Sequence, residues 1–372
     1  MTESADLVTP STILRPRMPE LDSVRGLAIL GVFLYHTLYA QPDLSRWSTP
    51  YRLFLTATWP GHFGVSLFFV LSGFLITGIL VDGRCKRQYF ARFYKRRALR
   101  ILPAYFAVAA LLAVTKFAPP SFLLLSLVYL SNLTPIFGIP IAYPVLWSLA
   151  VEEHFYFVWP ILCRKFTNTG LSVLCLGIVA LSPLSRYVSL SFTAPGGTAF
   201  YCNEYTWNSL DGLACGALLS LALRQYDWAR ARFAQACGAL LIFSTVSWFC
   251  LMPLGIQSRE TGIGAAFQIS IVNFAFTGLL GIFLHLGSGK HAPLVQIKPL
   301  RFLGYVSYGW YLIHDFFIHV YDRVMMAAGF AHGANHIGAL LIRLFVVGGV
   351  SLGVAYLSRA FYEEYFLRFK EA

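Results

Sequence analysis

The first long apolar stretch of the sequence contains two titratable side chains, Arg25 and His36. They are eleven residues apart, which in an α-helix is about three turns plus 20°, so both project from the same face. At 1.5 Å per residue they are separated by about 16 Å along the helix axis. Ionisable side chains inside a membrane are costly and usually face a cavity or a partner. The pair therefore indicates a polar channel; the structural alternative is a snorkelling arginine and a hydrogen-bonded core histidine.

A basic run enters the third apolar stretch and consists of Arg92, Lys95, Arg96, Arg97 and Arg100. Such a run is usually a solvated topology signal. Arg97 and Arg100, however, are three residues apart and share a helix face. Their guanidinium groups, placed at membrane depth, could hold phosphate groups through paired hydrogen bonds.

A third cluster opens the fourth apolar stretch and consists of Trp147, Ser148, Glu152, Glu153 and His154. Adjacent carboxylates on a helix point about 100° apart. Exposing both of them to lipid would cost a large free energy. One of them should point into the protein, where it could orient a histidine or an acceptor hydroxyl. The structural alternative is an acid pair at the water boundary, with Trp147 as an interfacial anchor.

A fourth cluster, in the ninth apolar stretch, consists of Ser307, Tyr308, Tyr311 and His314. Ser307, Tyr311 and His314 follow an i, i+4, i+7 pattern, which places them on one helix face. Core hydrogen bonding is the structural alternative for this group. Asp211, which opens the sixth stretch, is a further acid at membrane depth.

Membrane-spanning helices must position these residues, because apolar stretches recur along the whole chain. Of its 372 residues, 57% are apolar and 12% are charged, whereas a soluble chain carries about twice that charged fraction. A stretch of about 20 apolar residues crosses a ~30 Å hydrocarbon core as a helix. We predict an all-α integral membrane protein with about ten transmembrane helices, at 20–41, 62–82, 98–118, 143–163, 171–190, 207–224, 233–253, 263–286, 302–325 and 337–360.

One shorter apolar piece, 121–134, is predicted to be a re-entrant or surface segment. If it does not span, the strongly basic loops all fall on one side of the membrane: 83–100, 164–165, 224–232, 287–301 and both tails. The positive-inside rule then places both termini in the cytoplasm, with 42–61 and 191–206 outside. Irregular backbone at 131–144 must in that case be buried in protein or line a water-filled cavity.

The predicted domain organisation is a single transmembrane domain, 20–360, between cytoplasmic tails at 1–19 and 361–372. The net charge of +12 comes mostly from the basic loops, which suit a surface of anionic membrane lipids. No soluble basic face for nucleic acid is predicted. The seven cysteines form no CxxC pair, so neither a disulfide framework nor a metal site is expected.

Five motifs follow one another in the chain: Leu21-Asp22-Ser23-Val24-Arg25-Gly26 through His36; Phe68-Phe69-Val70-Leu71-Ser72-Gly73-Phe74-Leu75-Ile76; Arg96-Arg97-Ala98-Leu99-Arg100-Ile101-Leu102-Pro103; Trp147-Ser148-Leu149-Ala150-Val151-Glu152-Glu153-His154-Phe155-Tyr156; and Ser307-Tyr308-Gly309-Trp310-Tyr311-Leu312-Ile313-His314. Each motif alone is moderately specific. Together, in this order over residues 20–320, they resemble the signature of the bacterial type-3 membrane acyltransferases.

The resemblance implies an enzyme of the bacterial inner membrane that transfers an acyl group, usually acetyl, from acyl-CoA. The acceptor would be a hydroxyl of a glycan or of a natural product such as a macrolide. His36 would be the general base, oriented by Glu152, and no metal would be needed. The phosphates of the coenzyme would be held by Arg25, Arg97 and Arg100. Supporting or acceptor-binding roles would fall to Ser72, Trp147, Ser148, Glu153, Asp211, Ser307, Tyr308, Tyr311 and His314.

The chain departs from the family pattern at three positions. His154 stands where glutamine is frequent, Leu146 where histidine is frequent, and Ser209 where many members have arginine. These departures point to acceptor specificity rather than to the core chemistry.

A transporter with an intramembrane proton relay would explain buried histidine, arginine and glutamate equally well. It would be expected to show inverted repeats with broken helices, and the sequence shows none. The sequence leaves open the identity of the acceptor and the choice between direct transfer and an acyl-histidine intermediate.

Overall fold

The computed structural model describes residues 13–40, 48–191, 204–329 and 337–370, which form helices and connecting turns with no strand among them. Cys202 and parts of the predicted outer loops, 42–47 and 192–203, lie outside these ranges. Two π-helices, Tyr35–Tyr39 and Ser358–Glu363, continue the first and the thirteenth α-helix. The α-helices of the described ranges are α1 (Glu20–Leu34), α2 (Thr49–Thr56), α3 (Gly64–Asp82), α4 (Tyr89–Val114), α5 (Pro120–Leu127), α6 (Leu146–Lys165), α7 (Asn168–Ser191), α8 (Thr206–Gln225), α9 (Arg230–Leu251), α10 (Gly262–Gly287), α11 (Ala292–Val295), α12 (Lys298–Ala327), α13 (Ile337–Leu357) and α14 (Glu364–Leu367).

A helix lies at each of the ten predicted membrane spans. In the described ranges, seven helical segments are long and apolar enough to cross a membrane: Glu20–Tyr39, Thr49–Asp82, Tyr89–Val114, Asn168–Ser191, Arg230–Leu254, Gly262–Gly287 and Ile337–Lys370. The helices α6, α8 and α12 occupy the other three predicted positions and are more polar. An all-α membrane protein with several crossings is therefore supported, while the count of ten and the cytoplasmic location of the termini stay predictions.

The short apolar piece at 121–134 forms the eight-residue helix α5 and a 3₁₀ turn, Ser131–Phe137. Eight residues rise only about 12 Å, so α5 is too short to cross the hydrocarbon core. The side chains of Ser131, Asn132 and Thr134 are fully buried. Ser131 Oγ donates a hydrogen bond to the carbonyl of Leu146 at 2.9 Å. The start of this irregular segment is thus buried in protein, whereas Ile136, Phe137, Gly138, Pro140 and Pro144 are exposed, so the burial of the whole stretch 131–144 stays a prediction.

The chain forms two compact units, each assembled from three separate stretches. The first unit contains the described residues up to Leu21 together with 66–89 and 150–297. Within it, α7, α8, α9 and α10 pack side by side. Gly73 of α3 lies so close to α8 that a Cβ atom there would be 1.9 Å from the carbonyl oxygen of Leu213. The glycine of the second motif therefore serves helix packing.

The second unit contains the described residues of 22–65, 90–149 and 298–372. Its α1 and α12 run parallel and touch through two glycines. A Cβ atom on Gly26 would be 1.9 Å from the carbonyl oxygen of Leu300, and one on Gly304 would be 2.0 Å from that of Asp22. Ten residues further along each helix stand His36 and His314, about 15 Å up the axis. Since the spacing is the same on both helices, this close contact sets the register that brings the histidines to one level.

Candidate active site

His36 and His314 form a hydrogen-bonded pair in the second unit. The Nδ1 atom of His36 lies 2.9 Å from the Nε2 atom of His314. Their ring planes differ by 13°, with centroids 5.1 Å apart, the separation expected when the hydrogen bond lies in the plane of both rings. His314 is fully buried, whereas His36 is half-buried. Of the two residues, His36 is the one that keeps an exposed fraction.

The backbone around His36 departs from the α-helix that precedes it. Residues Tyr35–Tyr39 form a π-helical turn, closed by the hydrogen bond from the amide of Ala40 to the carbonyl of Tyr35 at 3.0 Å. Such turns are rare and occur frequently at functional sites. The wider turn re-aims the side chains that follow Leu34, among them His36, and no sequence pattern indicated it.

A buried arginine of α13 holds this π-helical turn in place. Arg343 Nη1 donates to the carbonyl of Thr37 at 2.8 Å, and Nη2 donates to Asp322 Oδ2 of α12 at 2.6 Å. The guanidinium therefore links α12, α13 and the turn that carries His36. Neither Arg343 nor Asp322 is among the predicted site residues, although both fall inside predicted spans, where a charge is itself a signal.

The Trp147-Ser148 motif and the late Ser-Tyr-Gly motif meet through a second polar pair. Ser148 Oγ lies 2.6 Å from the Tyr311 hydroxyl, and both side chains are buried. The rings of Tyr311 and His314 have centroids 5.9 Å apart. Tyr143, which the sequence analysis missed, donates to the carbonyl of Leu312 at 2.7 Å. These contacts fix the start of α6 and the segment before it against the helix that carries His314.

Two other predicted residues of α12 make hydrogen bonds that serve the helices. Ser307 Oγ donates to the carbonyl of Gly304 in its own helix at 2.9 Å. Tyr308 donates from its hydroxyl to the carbonyl of Ile101 in α4 at 2.8 Å. Both contacts agree with the core hydrogen bonding that the sequence left open as an alternative.

The three predicted phosphate-binding arginines all belong to the second unit. Arg25 pairs with Asp22 one turn earlier, at 2.7 Å. Since α4 begins at Tyr89 and not at 98 as predicted, Arg97 lies in its third turn and Arg100 in its fourth. Arg97 is half-buried and Arg100 is exposed. The charge of Arg100 acts on Glu363 and Lys370 near the end of the chain.

Glu152 belongs to the first unit, where Ser72 Oγ donates to its Oε1 at 2.7 Å. This bond joins the second-helix motif to the Trp-Ser-Leu motif. The neighbouring Glu153 is half-buried. The next residue, His154, has its Nδ1 atom 2.7 Å from the Thr206 hydroxyl. Orientation of His36 by Glu152 would join residues of the two units and stays a prediction, as do the roles of Trp147 and Glu153.

Asp211 lies in a buried polar network of the first unit. Arg186 of α7 donates to Asp211 Oδ2 at 3.1 Å, and both side chains are fully buried. The guanidinium also donates to the carbonyls of Asn208 and Ala266, and Ser270 donates to the same carboxylate oxygen at 2.7 Å. Arg186 thus places a guanidinium beside Asp211 although residue 209 is serine. The sequence analysis missed it, and its position inside a predicted span was the available signal.

Among the described residues, no group of three or more histidine, cysteine, aspartate or glutamate side chains is arranged to hold a metal ion. Six described cysteines are free thiols: Cys85, Cys163, Cys175, Cys215, Cys237 and Cys250. The chemistry this arrangement can support is proton transfer by a half-buried imidazole with a buried hydrogen-bond partner.

The chain is similar over most of its length to known acyltransferases. A family model described as an acyltransferase domain matches residues 18–359. O-acetyltransferase OatA of Staphylococcus aureus is 28% identical over 327 residues, which cover 80% of this chain and 50% of the relative. Peptidoglycan O-acetyltransferase OatA of Listeria monocytogenes is 27% identical over 333 residues, covering 81% and 49%. The putative peptidoglycan O-acetyltransferase YrhL of Bacillus subtilis is 28% identical over 324 residues, covering 80% and 48%.

The chain therefore spans about half the length of these curated relatives. No solved structure matches it.

Proposed function

Since the chain belongs to the type-3 acyltransferase family, whose domain model covers residues 18–359, we propose that it is a membrane-embedded O-acetyltransferase. The observation that carries the proposal is the placement of His36. Its imidazole is half-buried on a π-helical turn, is hydrogen-bonded to a buried histidine, and stands at the far end of a helix that begins near Arg25. Family membership favours acyl transfer over the proton-relay transporter that the same side chains would also suit.

The proposed donor is acetyl-CoA. Coenzyme A carries a pyrophosphate and a 3′-phosphate, which guanidinium groups bind through charge-assisted hydrogen bonds. Arg25, Arg97 and Arg100 would supply these groups at the cytoplasmic surface. The distance of about 16 Å from Arg25 to His36 along a helix axis is comparable with the reach of an extended pantetheine arm. The thioester would then arrive at His36 while the nucleotide stays at the inner surface.

The proposed acceptor is a hydroxyl of a glycan. Two of the relatives are named for peptidoglycan, which makes a peptidoglycan sugar the first acceptor to test. A glycosylated natural product such as a macrolide is the second. The proposed location is the cytoplasmic membrane of a bacterium, with both termini inside.

An alcohol is a weak nucleophile at neutral pH and needs a base as it reacts. His36 takes the proton of the acceptor hydroxyl while the hydroxyl oxygen attacks the thioester carbonyl and a C–O bond forms. The C–S bond then breaks, and the departing thiolate takes the proton from the imidazolium. The products are the acetyl ester and free coenzyme A, and His36 is neutral again.

Reconstitution in liposomes tests the proposal. Purified protein would receive acetyl-CoA labelled in the acetyl group on one side and soluble peptidoglycan fragments on the other, with a macrolide in a parallel sample. We expect labelled ester in one acceptor and an equal amount of free coenzyme A thiol. Protein that neither binds acetyl-CoA nor releases the thiol would overturn the proposed donor, and thiol release without ester would overturn the proposed acceptors.

A further inference from the structure

The position of the proton on the imidazole ring of His36 decides what His36 can do. A neutral imidazole carries one N–H group and one bare nitrogen, and a neighbouring hydrogen bond determines which nitrogen is which. Only the bare nitrogen can act as a base. The identity of the bare nitrogen of His36 is therefore part of the mechanism.

The protonation of His314 follows from its backbone contacts. Its Nδ1 atom lies 2.8 Å from the carbonyl oxygen of Tyr311 and 3.1 Å from that of Trp310. A carbonyl oxygen only accepts, so Nδ1 of His314 must carry the hydrogen. In the neutral ring, Nε2 is then bare and is an acceptor.

The protonation of His36 follows from that of His314. The atom that faces the bare Nε2 of His314 is Nδ1 of His36, at 2.9 Å. Two bare nitrogens at this distance would repel, so Nδ1 of His36 carries its hydrogen and donates it. The bare nitrogen of His36 is consequently Nε2, on the opposite edge of the ring from His314.

We propose that His314 is the positioning residue that fixes His36 in the Nδ1–H tautomer and so leaves Nε2 free to act as the base. This inference rests on the proposed function, because it assigns the base atom of that reaction. A carboxylate performs the corresponding task in serine-protease triads, where loss of the correct tautomer is costly. Here a buried neutral histidine, itself anchored to the backbone of α12, takes that place.

The arrangement also orients the ring during turnover. When Nε2 of His36 takes a proton, the hydrogen bond from its Nδ1–H group to His314 persists. It keeps the imidazolium of His36 nearly coplanar with the His314 ring. The other titratable groups whose charges act on this pair are His62, His319 and Asp315. The negative charge of the Asp315 carboxylate favours the positive charge that develops on the pair.

Two substitutions at residue 314 separate a tautomer role from a packing role. His314→Leu keeps an apolar side chain of similar size but removes the acceptor, whereas His314→Gln offers an amide oxygen near the position of Nε2. We expect His314→Leu to lower kcat about 100-fold, in the range known for residues that orient a reacting group, with the donor KM nearly unchanged. His314→Gln should recover at least about tenfold of this loss. The control is His291→Gln, at an exposed position outside α12, which should leave kcat unchanged.

The pH profile adds a readout that packing would not change. Raising the pH deprotonates a histidine but does not choose its tautomer, so alkaline pH should not restore the rate of His314→Leu. If His314→Leu and His314→Gln lose the same activity, or if His314→Leu keeps kcat within threefold of wild type, the tautomer role is excluded.

Nitrogen-15 NMR of protein labelled at histidine measures the tautomer without any turnover. The signals of His36 are assigned by their loss in His36→Asn. We expect Nδ1–H and bare Nε2 at His36 in the wild type, and the Nε2–H form to appear in His314→Leu. A wild-type His36 that carries hydrogen on Nε2 would overturn the inference even in an active enzyme. The expected tautomer in a protein without transferase activity would instead overturn the proposed function.

Discussion

Nδ1 of His36 lies 2.9 Å from Nε2 of His314, so one hydrogen bond joins two motifs that are 278 residues apart in the chain. The bond depends on the parallel packing of α1 and α12. The contact glycines of these helices, Gly26 and Gly304, each precede the histidine of the same chain segment by ten residues. The bond joins a half-buried residue, His36, to a fully buried one, His314.

Loss of the imidazole of His36 should abolish transfer while the protein remains folded in the membrane. Removing a general base typically costs about 10²–10⁴ in rate, so His36→Ala should lower kcat by that factor. Turnover of purified protein and the thermal unfolding temperature in detergent measure the two effects. His291→Ala, at an exposed position, is the control and should remain active; near-normal turnover by His36→Ala would remove His36 from the mechanism.

The arginines of α4 should act on donor binding. Losing one charge-assisted contact to phosphate costs roughly 1.5–3 kcal/mol, so Arg97→Gln or Arg100→Gln should raise the acetyl-CoA KM at least about tenfold. The value of kcat should change much less, because the phosphates do not react. Binding should weaken as salt rises.

The matched control for the arginines is Lys86→Gln, an exposed cation on the loop before α4, which should leave the KM unchanged. Equal affinity for acetyl-CoA in wild type and in both arginine variants would place the phosphate site elsewhere.

The buried pair of Ser148 and Tyr311 should be energetically coupled. Each of Ser148→Ala and Tyr311→Phe removes the 2.6 Å contact between the two hydroxyls, at a cost of about 1–3 kcal/mol. The double variant should cost less than the sum of the two, with a coupling of about 0.5–3 kcal/mol. Thermal unfolding in detergent measures the cycle, and strict additivity would mean that the hydroxyls do not interact.

Asp211 should matter for stability more than for acceptor binding. Arg186→Met would leave a buried carboxylate without its cation, and breaking a buried pair in this way typically costs about 3–5 kcal/mol. Arg186→Met combined with Asp211→Asn should recover part of the loss, because the uncompensated charge is then gone. Unfolding temperatures in detergent test this, and an Asp211→Asn variant of normal stability with a raised acceptor KM would show a substrate role instead.

The stability of the protein should fall with rising pH because of Glu204, which precedes α8. Burial raises the pKa of this carboxyl from 4.5 to about 8, and the charge of Arg259 opposes the shift only in part. A raised pKa in the folded state means that folding favours the protonated form. The stability from this group is therefore complete below the pKa of the unfolded chain and is lost as pH rises through about 8.

Thermal unfolding between pH 5 and pH 9 measures this loss. The unfolding temperature of Glu204→Gln should fall less steeply than that of the wild type, and the variant should be the more stable protein at pH 9. Glu260→Gln, at an exposed position nearby, should follow the wild type. Identical slopes for Glu204→Gln and wild type would show that Glu204 ionises normally in the folded state.

Local properties of the sequence determined where the helices lie and which residues are unusual in them. The predicted spans 20–41, 171–190 and 263–286 compare with helical segments at Glu20–Tyr39, Asn168–Ser191 and Gly262–Gly287. Apolar length and helical spacing are properties of neighbouring residues, so the sequence shows them directly. The same holds for Arg25 and His36, whose separation along one helix needs no knowledge of the fold.

Only the tertiary structure decided which side chains meet. His314 is the partner of His36, Arg186 that of Asp211, and Arg343 holds the carbonyl of Thr37. Each pair joins helices that are distant in the chain, and helix periodicity says which face a residue is on but not which helix lies against that face. The π-helical turn at His36 likewise depends on contacts from other helices. The sequence supplied the proposed base, and the packing of α1 against α12 supplied its hydrogen-bond partner, because backbone contacts at Gly26 and Gly304 set the level at which the two histidines meet.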